Sequence, residues 1–465
     1  MSSSMMFGLQ RIQGVSTNNF LLPPNGSDSS NASGIVTFHL PSAAIIDTKR
    51  VMLHLDATMA GSGGRLPPIA QLIQRVSISV GGVQMTSGSS YFNAYLAAKE
   101  AVTKSKIDTV LGHKNYVRDR SYVNNAIIAT TNNEEYTSGQ RLFAVNLLEH
   151  LELQPQYLDS SLVGTVEIQI QFADNAVCSS VAGVLLPGSR TNAATVAPGG
   201  FDKIGTGATY TVSALRLSVP VIGFASSFYD EMIQSRVASQ GFVEYSFKNI
   251  FASEHSHLNS TRVSVSTQSL DRVWTAFRNP DYHVQGAPVS VVGSKRSVTN
   301  LFTTMTDAQV TAGLALGNDP GFSTLNEPFE KYVSKYFRFQ EPTLTGSNAT
   351  AKLRLAINGV NMPQSEVSSS EAYGITKNNI LGSSYICEDK MTLAQYRTNF
   401  YVQCLARMNI SDGELERGIS GCDTRNSSAD ITLTTSGIAT ANLLVFLECT
   451  SSMRVNGTKS LEIVV

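Results

Sequence analysis

Two stretches of the chain read as copies of one another: Arg75-Val-Ser-Ile-Ser-Val-Gly-Gly-Val-Gln-Met85 and Lys352-Leu-Arg-Leu-Ala-Ile-Asn-Gly-Val-Asn-Met362. In each, a basic residue opens a segment in which apolar and polar residues alternate. A glycine then marks a turn, and a Ser-rich stretch leads toward a helix bearing aromatic residues. Alternation with period two is the pattern of a strand with one buried face. An earlier pair of segments also matches: Gly34-Ile-Val-Thr-Phe-His-Leu40 with Gly241-Phe-Val-Glu-Tyr-Ser-Phe247, followed by Arg50-Val51 with Arg262-Val263. The spacing between copies widens from the earlier pair to the later one. That places an insertion in the second copy between about 270 and 350. A repeat this long is no solenoid; it implies two copies of one domain.

The rest of the sequence agrees. Period-two segments recur at Val51–Leu55, Val166–Phe172, Val263–Val265, Ile431–Leu433, Leu443–Leu447 and Leu461–Val464. Helices are few and short. One is expected from Tyr91 to Val102 and one from Glu371 to Ile380. A third starts at Ser227, where Ser227-Phe-Tyr-Asp230 has capping-box form and Phe228, Met232, Ile233 and Val237 share a face. Segments 25–34, 187–208 and 312–325, rich in Gly, Ser, Thr and Pro, read as loops. Short strands with long connections point to an all-β chain of two sandwich or jelly-roll domains.

Composition excludes several classes. Charged residues make up 15% and the formal net charge is −1, against roughly 25% charged in an ordinary domain. A basic nucleic-acid binder and an acidic solvating tail are both ruled out. Few ions need to lose water when faces of such a chain meet, and that desolvation can outweigh the pairing gained. The N-terminus lacks the basic and apolar regions of a secretory signal, and no apolar run is long enough for a membrane span. Cys178, Cys387, Cys404, Cys422 and Cys449 are far apart and form no CxxC, so reduced core thiols are expected.

Catalytic spacings are missing: no GxSxG, no P-loop, no HExxH and no EF-hand loop. Gly293-Ser-Lys-Arg-Ser297 lacks the upstream glycine of a phosphate loop, and Gly205-Thr-Gly207 does not open a helix. Glu254-His255-Ser256-His257 sets two imidazoles at i and i+2, on one strand face, with no visible third ligand. A solvated strand end is the plainer reading. No catalytic, cofactor-binding or metal-binding residue is assigned, and no enzyme activity is expected. Lys99, Lys104, Lys106, Lys114, Arg118 and Arg120 form the most basic stretch, but Glu100, Asp108 and Asp119 interleave with them. A solvated helix and loop is therefore preferred to a nucleic-acid or lipid contact. Tyr91, Phe92 and Tyr95 read as packing of the helix on a barrel rather than a partner patch. Trp274, close to Phe277, reads as either core or subunit interface. The first thirty residues, with Pro23-Pro24, read as an arm.

The order of these segments resembles the double jelly-roll major capsid proteins of tailless icosahedral double-stranded DNA viruses, of the kind found in polinton-like viruses, virophages and nucleocytoplasmic large DNA viruses. The Gln74–Met85 strand and turn followed by the Tyr91–Val102 helix resembles the first jelly roll. Thr211–Val219, Ser226–Met232 and Gly241–Phe247 resemble the strand, helix and strand between the domains, and Gly421–Thr434 with Leu443–Leu447 and Val455–Val464 resembles the closure of the second barrel. The resemblance implies two tandem eight-stranded antiparallel jelly rolls with a few short helices. Its domains would be an arm over 1–30, a first jelly roll over 31–226, a connecting helix over 227–240 and a second jelly roll over 241–465, with a tower-like insertion at about 270–350. The function it implies is structural: homotrimeric, pseudo-hexagonal capsomers that tile an icosahedral shell. Implied partners are other copies, penton and minor capsid proteins, and an internal membrane or host surface, with no sequence-specific nucleic acid and no cofactor. The implied location is the virion, after synthesis in a host cytoplasm and assembly there or in the nucleus. A carbohydrate- or receptor-binding sandwich, such as a fibre or adhesin, and a minor capsid protein are the alternatives.

Overall fold

Val166–Phe172 shows how the alternation becomes structure. Val166, Ile168, Ile170 and Phe172 are buried, while Glu167, Gln169 and Gln171 between them are half-exposed. Successive side chains of a strand point to opposite faces, so this segment can only line one side of a packed sheet. The computed structural model describes residues 15–60, 64–65, 67, 69–86, 90–103, 141–180, 209–224, 228–278, 281–284, 289–290, 332–333, 335–346, 350–381, 396–397, 400–408, 421–425 and 429–464.

The first half holds β1 (Val15–Leu22), β2 (Ile35–His39), β3 (Met52–Ala60), β4 (Ile73–Val80), β5 (Val83–Gln84), β6 (Arg141–Asn146), β7 (Val166–Phe172) and β8 (Thr209–Phe224). The second holds β9 (Phe242–His257), β10 (Ser260–Val265), β11 (Leu270–Arg278), β12 (Lys352–Ile357), β13 (Val360–Asn361), β14 (Val402–Arg407), β15 (Ala429–Ser436) and β16 (Ala441–Asn456). Leaving aside the short strands Ser30–Asn31, Ile45–Asp47 and Tyr157–Asp159 on the first sheet, and Leu461–Val464 and Val367–Ser368 on those of the second half, one pair of sheets runs β1-β8-β3-β6 and β2-β7-β4-β5; the other runs β9-β16-β11-β14 and β10-β15-β12-β13. Adding eight to every strand number converts one half into the other. Each half is an eight-stranded antiparallel jelly roll. Helix α1 (Phe92–Thr103) follows β5, α2 (Phe228–Gln240) joins the halves, and α3 (Ser369–Leu381) follows β13.

The repeat that opened the sequence argument is the β4–β5 hairpin matched to β12–β13. Val80 pairs with Val83 and Ile357 with Val360, leaving two-residue turns. Both turn residues have positive φ in each copy: Gly81 (56°) and Gly82 (81°), Asn358 (51°) and Gly359 (79°). That is the geometry of the hairpin turn whose twist matches the strands, and it selects Gly-Gly and Asn-Gly. The earlier pair of matched segments is a correction. Gly34–Leu40 covers β2, whose counterpart is β10, whereas Gly241–Phe247 opens β9; Arg50-Val51 and Arg262-Val263 are offset in the same way. A glycine before an alternating strand recurs too often to fix which strand matches which.

Two expected boundaries also move. Val15–Leu22, inside the stretch read as an arm, is a strand paired along its whole length with β8; residues 1–14 lie outside the described residues. Leu270–Arg278, read as the start of the insertion, is a central strand. The extra chain therefore lies between β11 and β12, at 279–351, where the first half has only 61–72. The capping box at Ser227 and Asp230 falls on residues whose side chains lie outside the described set.

The second jelly roll encloses Val273, Phe277, Leu353, Leu355, Tyr401, Leu433, Leu443, Val445 and Leu447. The larger cluster fills the first jelly roll and continues across the junction to Tyr245, Phe247, Trp274, Leu444 and Phe446 of the second. Both faces of β16 are thus covered, which is why Leu443-Leu-Val-Phe-Leu447 is a continuous apolar run rather than an alternating one.

Candidate functional site

The junction between the two jelly rolls holds a buried carboxylate, Glu448. On β16, the odd residues Leu443, Val445 and Leu447 face the second core. The even positions Leu444, Phe446 and Glu448 therefore turn toward the first jelly roll. Helix α1 meets them there. Tyr95 stacks edge-on against Phe446 (5.7 Å between ring centres) and Trp274 (6.4 Å), a favoured aromatic arrangement. Its hydroxyl donates to Glu448 Oε1 at 2.7 Å, and Trp274 Nε1 donates to Glu448 Oε2 at 3.2 Å. Lys99 Nζ lies 3.5 Å from Oε1, and Arg272 Nη1 lies 3.4 Å from Oε2.

One carboxylate is thus held by four donors from two elements, α1 of the first half and β11 of the second. Burial alone would raise the Glu448 carboxyl. Lys99, Arg272, the Tyr95 hydroxyl and Lys248 outweigh it and bring it down to about 2. The Tyr95 hydroxyl is pushed well above its ordinary range, first by burial and then by the facing carboxylate. Pairing and hydrogen bonding of this kind offset the cost of burying the Glu448 charge.

Nearby, Asp271 accepts from Lys248 Nζ (2.5 Å), Thr450 Oγ1 (2.6 Å) and Ser269 Oγ (2.8 Å). The backbone joins in as well: Gln154 N donates to Ser246 O, and Ser246 N to Gln154 O, both at 2.8 Å, closing part of the outer edge of β9 with a segment of the first jelly roll. At the base of the insertion, the guanidinium of Arg278 is 2% exposed. It lies 4.5 Å from the Tyr282 ring centre, 5.0 Å from Tyr336 and 6.0 Å from Tyr91, while Tyr282 Oη donates to Glu254. This cation–π cage ties α1's leading turn, β11 and the insertion together.

The residues singled out from the sequence divide as follows. Trp274 is fully buried inside the chain, between the halves. Phe92 and Tyr95 are buried as packing residues, though Tyr95 packs across the junction and not only onto its own barrel. Lys99 is the one described member of the basic stretch. It is paired with Glu448 while its side chain stays partly open to solvent; Lys104, Lys106, Lys114, Arg118 and Arg120 lie outside the described residues. In the His pair, His257 is buried with both ring nitrogens at 2.6 Å from hydroxyls, Nδ1 on Thr261 and Nε2 on Thr435. Burial, followed by His255, lowers it to about 4. His255 contacts Ser253, and among the described residues no group of three His, Cys, Asp or Glu side chains could hold a metal. Cys178, Cys404 and Cys449 are buried free thiols; burial pushes Cys178 and Cys449 up to about 12. Cys422 is free but only half-buried, and Cys387 lies outside the described residues. No helix of the described residues is long and apolar enough to cross a membrane. Glu448 was missed, because a lone acid in an apolar strand has no spacing signature; its cue was a charge at an even position of Leu443–Cys449.

No protein-family model and no curated protein matches the sequence. Solved structures do match in shape. A chain of the PBCV-1 virus capsid superposes with a TM-score of 0.56 over 98% of both chains at 14% identity. PBCV-1 VP54, as fitted into a reconstruction of the virophage Sputnik, gives 0.55 over 98% of both chains at 13% identity. The Faustovirus major capsid protein gives 0.50 over 94% of this chain and 90% of that one at 10% identity. At such identities the likeness is one of architecture, and it spans both halves, the connecting helix and the junction: the chain has the double jelly-roll fold seen in these capsid proteins.

Proposed function

We propose that the chain is a structural virion protein, the major capsid protein of an icosahedral double-stranded DNA virus, and that three copies form a pseudo-hexagonal capsomer. The observation that carries this reading is the duplication itself. Two jelly rolls of identical strand order stand side by side in one chain and meet through a buried, charge-matched junction. A junction between unlike faces of like domains is head-to-tail, and repeating it between chains closes a ring when each step turns by about one sixth of a circle. The fold match over nearly the whole length of capsid chains supports the same reading. The low charge content suits faces that must give up water on assembly. Neighbouring capsomers are the principal partners. Penton and minor capsid proteins, and an internal membrane or host surface, belong to the same reading, with the virion as location and a host cytoplasm or nucleus as assembly site.

Light scattering on the purified chain after gel filtration tests it. A species near three times 50.0 kDa that persists on dilution, seen as three-fold hexagonal particles by electron microscopy, is expected. A stable monomer at all concentrations overturns the reading. Glycan binding by a monomer would favour the fibre or adhesin alternative.

A further inference from the structure

Lys248 on β9 and Asp271 on β11 reach each other across β16, the strand that separates them, and Nζ lies 2.5 Å from Asp271 Oδ2. Two departures from a regular sheet shape this meeting. Leu270 stands opposite Cys449 and Arg272 opposite Glu448, so Asp271 is the extra residue of a β-bulge. A bulge re-aims a side chain that the regular pleat would place elsewhere. Beside the carboxylate, the chain passes so close at Gly421 that a Cβ there would stand 2.6 Å from Asp271 Oδ1, and nearer still to Ser269 Oγ and Leu270 O. Hydroxyls then hold both carboxylate oxygens. Thr450, opposite Lys248 in the β9–β16 register, accepts from Nζ at 2.8 Å and donates to Oδ2 at 2.6 Å. Ser269 accepts from Gly421 N and donates to Oδ1, each at 2.8 Å. Asp271 is 1% exposed and Lys248 is half-buried. The duplicated plan does not require the pair, because β1, the counterpart of β9, holds no lysine.

An amine held against a carboxyl group, with a donor on each carboxyl oxygen and little water around the acid, is arranged for acyl transfer to nitrogen. We propose that Lys248 and Asp271 condense to an intramolecular amide, a covalent staple that joins β9 to β11 across β16. The ion pair contains every atom the product needs. One proton passes from the Nζ ammonium to Oδ2 along their hydrogen bond and leaves a neutral amine and a carboxylic acid. Burial favours this transfer because it discharges both ions. The Nζ lone pair then forms a bond to Cγ, and Oδ1 takes up the negative charge under the Ser269 hydroxyl. The Cγ–Oδ2 bond breaks as Oδ2 gains a second proton from the nitrogen through the Thr450 hydroxyl, which touches both atoms. Oδ2 leaves as water, Oδ1 returns to a carbonyl, and the third proton stays on the amide nitrogen. The step consumes no oxidant and no co-reactant. The bond is internal to one chain, so it forms whether or not copies assemble.

Mass spectrometry of the full, folded chain tests it. The intact mass is expected to fall short of the sequence by one water. Trypsin is expected not to cut after Lys248, and fragmentation should identify a branched peptide joining Lys248 to Asp271. Lys248→Arg keeps the positive charge but removes the amine. With folding checked by circular dichroism, it is expected to show its full mass and to unfold at a lower urea concentration than the wild type. A wild-type chain of full mass that trypsin cuts after Lys248 overturns the proposal, and this result needs no variant to fold. A water loss that persists in Lys248→Arg places the dehydration elsewhere in the chain and overturns it as well.

Discussion

Glu448 is the residue on which the halves are balanced, and its charge state makes the balance measurable. The carboxyl sits at about 2 in the folded chain against an ordinary value of 4.5. A group depressed on folding adds stability above its unfolded value and loses it as pH falls toward the folded one. The shift corresponds to about 3 kcal/mol, an order-of-magnitude figure. Removing one partner of a buried pair costs a similar amount, about 3–5 kcal/mol. Glu448→Gln is therefore expected to lower stability by about 3 kcal/mol at pH 7 in urea unfolding. The gap to the wild type should shrink between pH 4.5 and pH 2; a gap constant with pH would show that the carboxylate's charge is not what matters. The hairpin glycines give a second comparison. A Cβ on Gly82 or Gly359 meets nothing within 4 Å, so alanine there costs only the left-handed backbone, about 1–2 kcal/mol. A Cβ on Gly81 would stand 2.4 Å from Leu461 Cδ1 and 2.9 Å from Val163 O. Thermal melts should rank Gly81→Ala clearly below Gly82→Ala, and equal melting points would refute the close packing of Leu461 on this turn.

At the level of elements, the insertion between β11 and β12 contains a part that belongs to the body. Phe337 and Phe339 are buried in the large cluster, and Gln340 N donates to Phe277 O, so 335–345 is structural. Val289–Ser290 pairs with Tyr332–Val333, which brings residues 290 and 332 side by side. Replacing 291–331 with Asn-Gly, the pair suited to a two-residue hairpin, is expected to leave the melting temperature within about 4 °C, less than the shift roughly 2 kcal/mol would give a domain of this size. A larger loss would make the excised stretch part of the core. What the sequence revealed about elements follows from where water is. Strands with one wet face, such as β7 and β12, alternate and were legible residue by residue. β11 and β14 are buried on both faces, and β1 is exposed along most of its length, so none of the three alternates and all three escaped notice. β11 is the instructive case: Asp271, Arg272 and Arg278 make it look like a surface loop, yet Asp271 is paired with Lys248 on β9, Arg272 with Glu448 on β16, and Arg278 is enclosed by the tyrosine cage. Of these partners Glu448, Tyr336 and Tyr91 are far away in sequence, and no local pattern announces them. The β4–β5 and β12–β13 hairpins were legible for the opposite reason, since their Gly-Gly and Asn-Gly turns are set by backbone sterics alone.

Taken as one body, the molecule raises the question of what holds its halves together: helix α2, which connects them, or the junction they share. Among the described side chains of α2, the apolar ones packed against the core are Ile233 and Val237, and both are half-buried. The junction buries Tyr245, Phe247, Trp274, Leu444 and Phe446, and full burial of a large apolar side chain contributes about 1.5–3 kcal/mol. Five such side chains together give about 7.5–15 kcal/mol, on the order of or above the roughly 8 kcal/mol that corresponds to micromolar association, before the Glu448 network is added. Cutting the chain should therefore not part it. A site for a sequence-specific protease inserted after Ser235, which is exposed, is expected to give two fragments on a denaturing gel. On gel filtration at micromolar concentration those fragments should still elute together at the volume of the uncut protein. Trp274→Ala, which opens a cavity beside Glu448 and removes one of its donors, should let the cut halves separate at lower urea, while the uncut Trp274→Ala chain stays in one piece. Halves that separate on cutting alone would mean that α2 is the true tie. The junction would then be too weak to serve as a pattern for contacts between chains, and a ring built by repeating it would lose its physical basis.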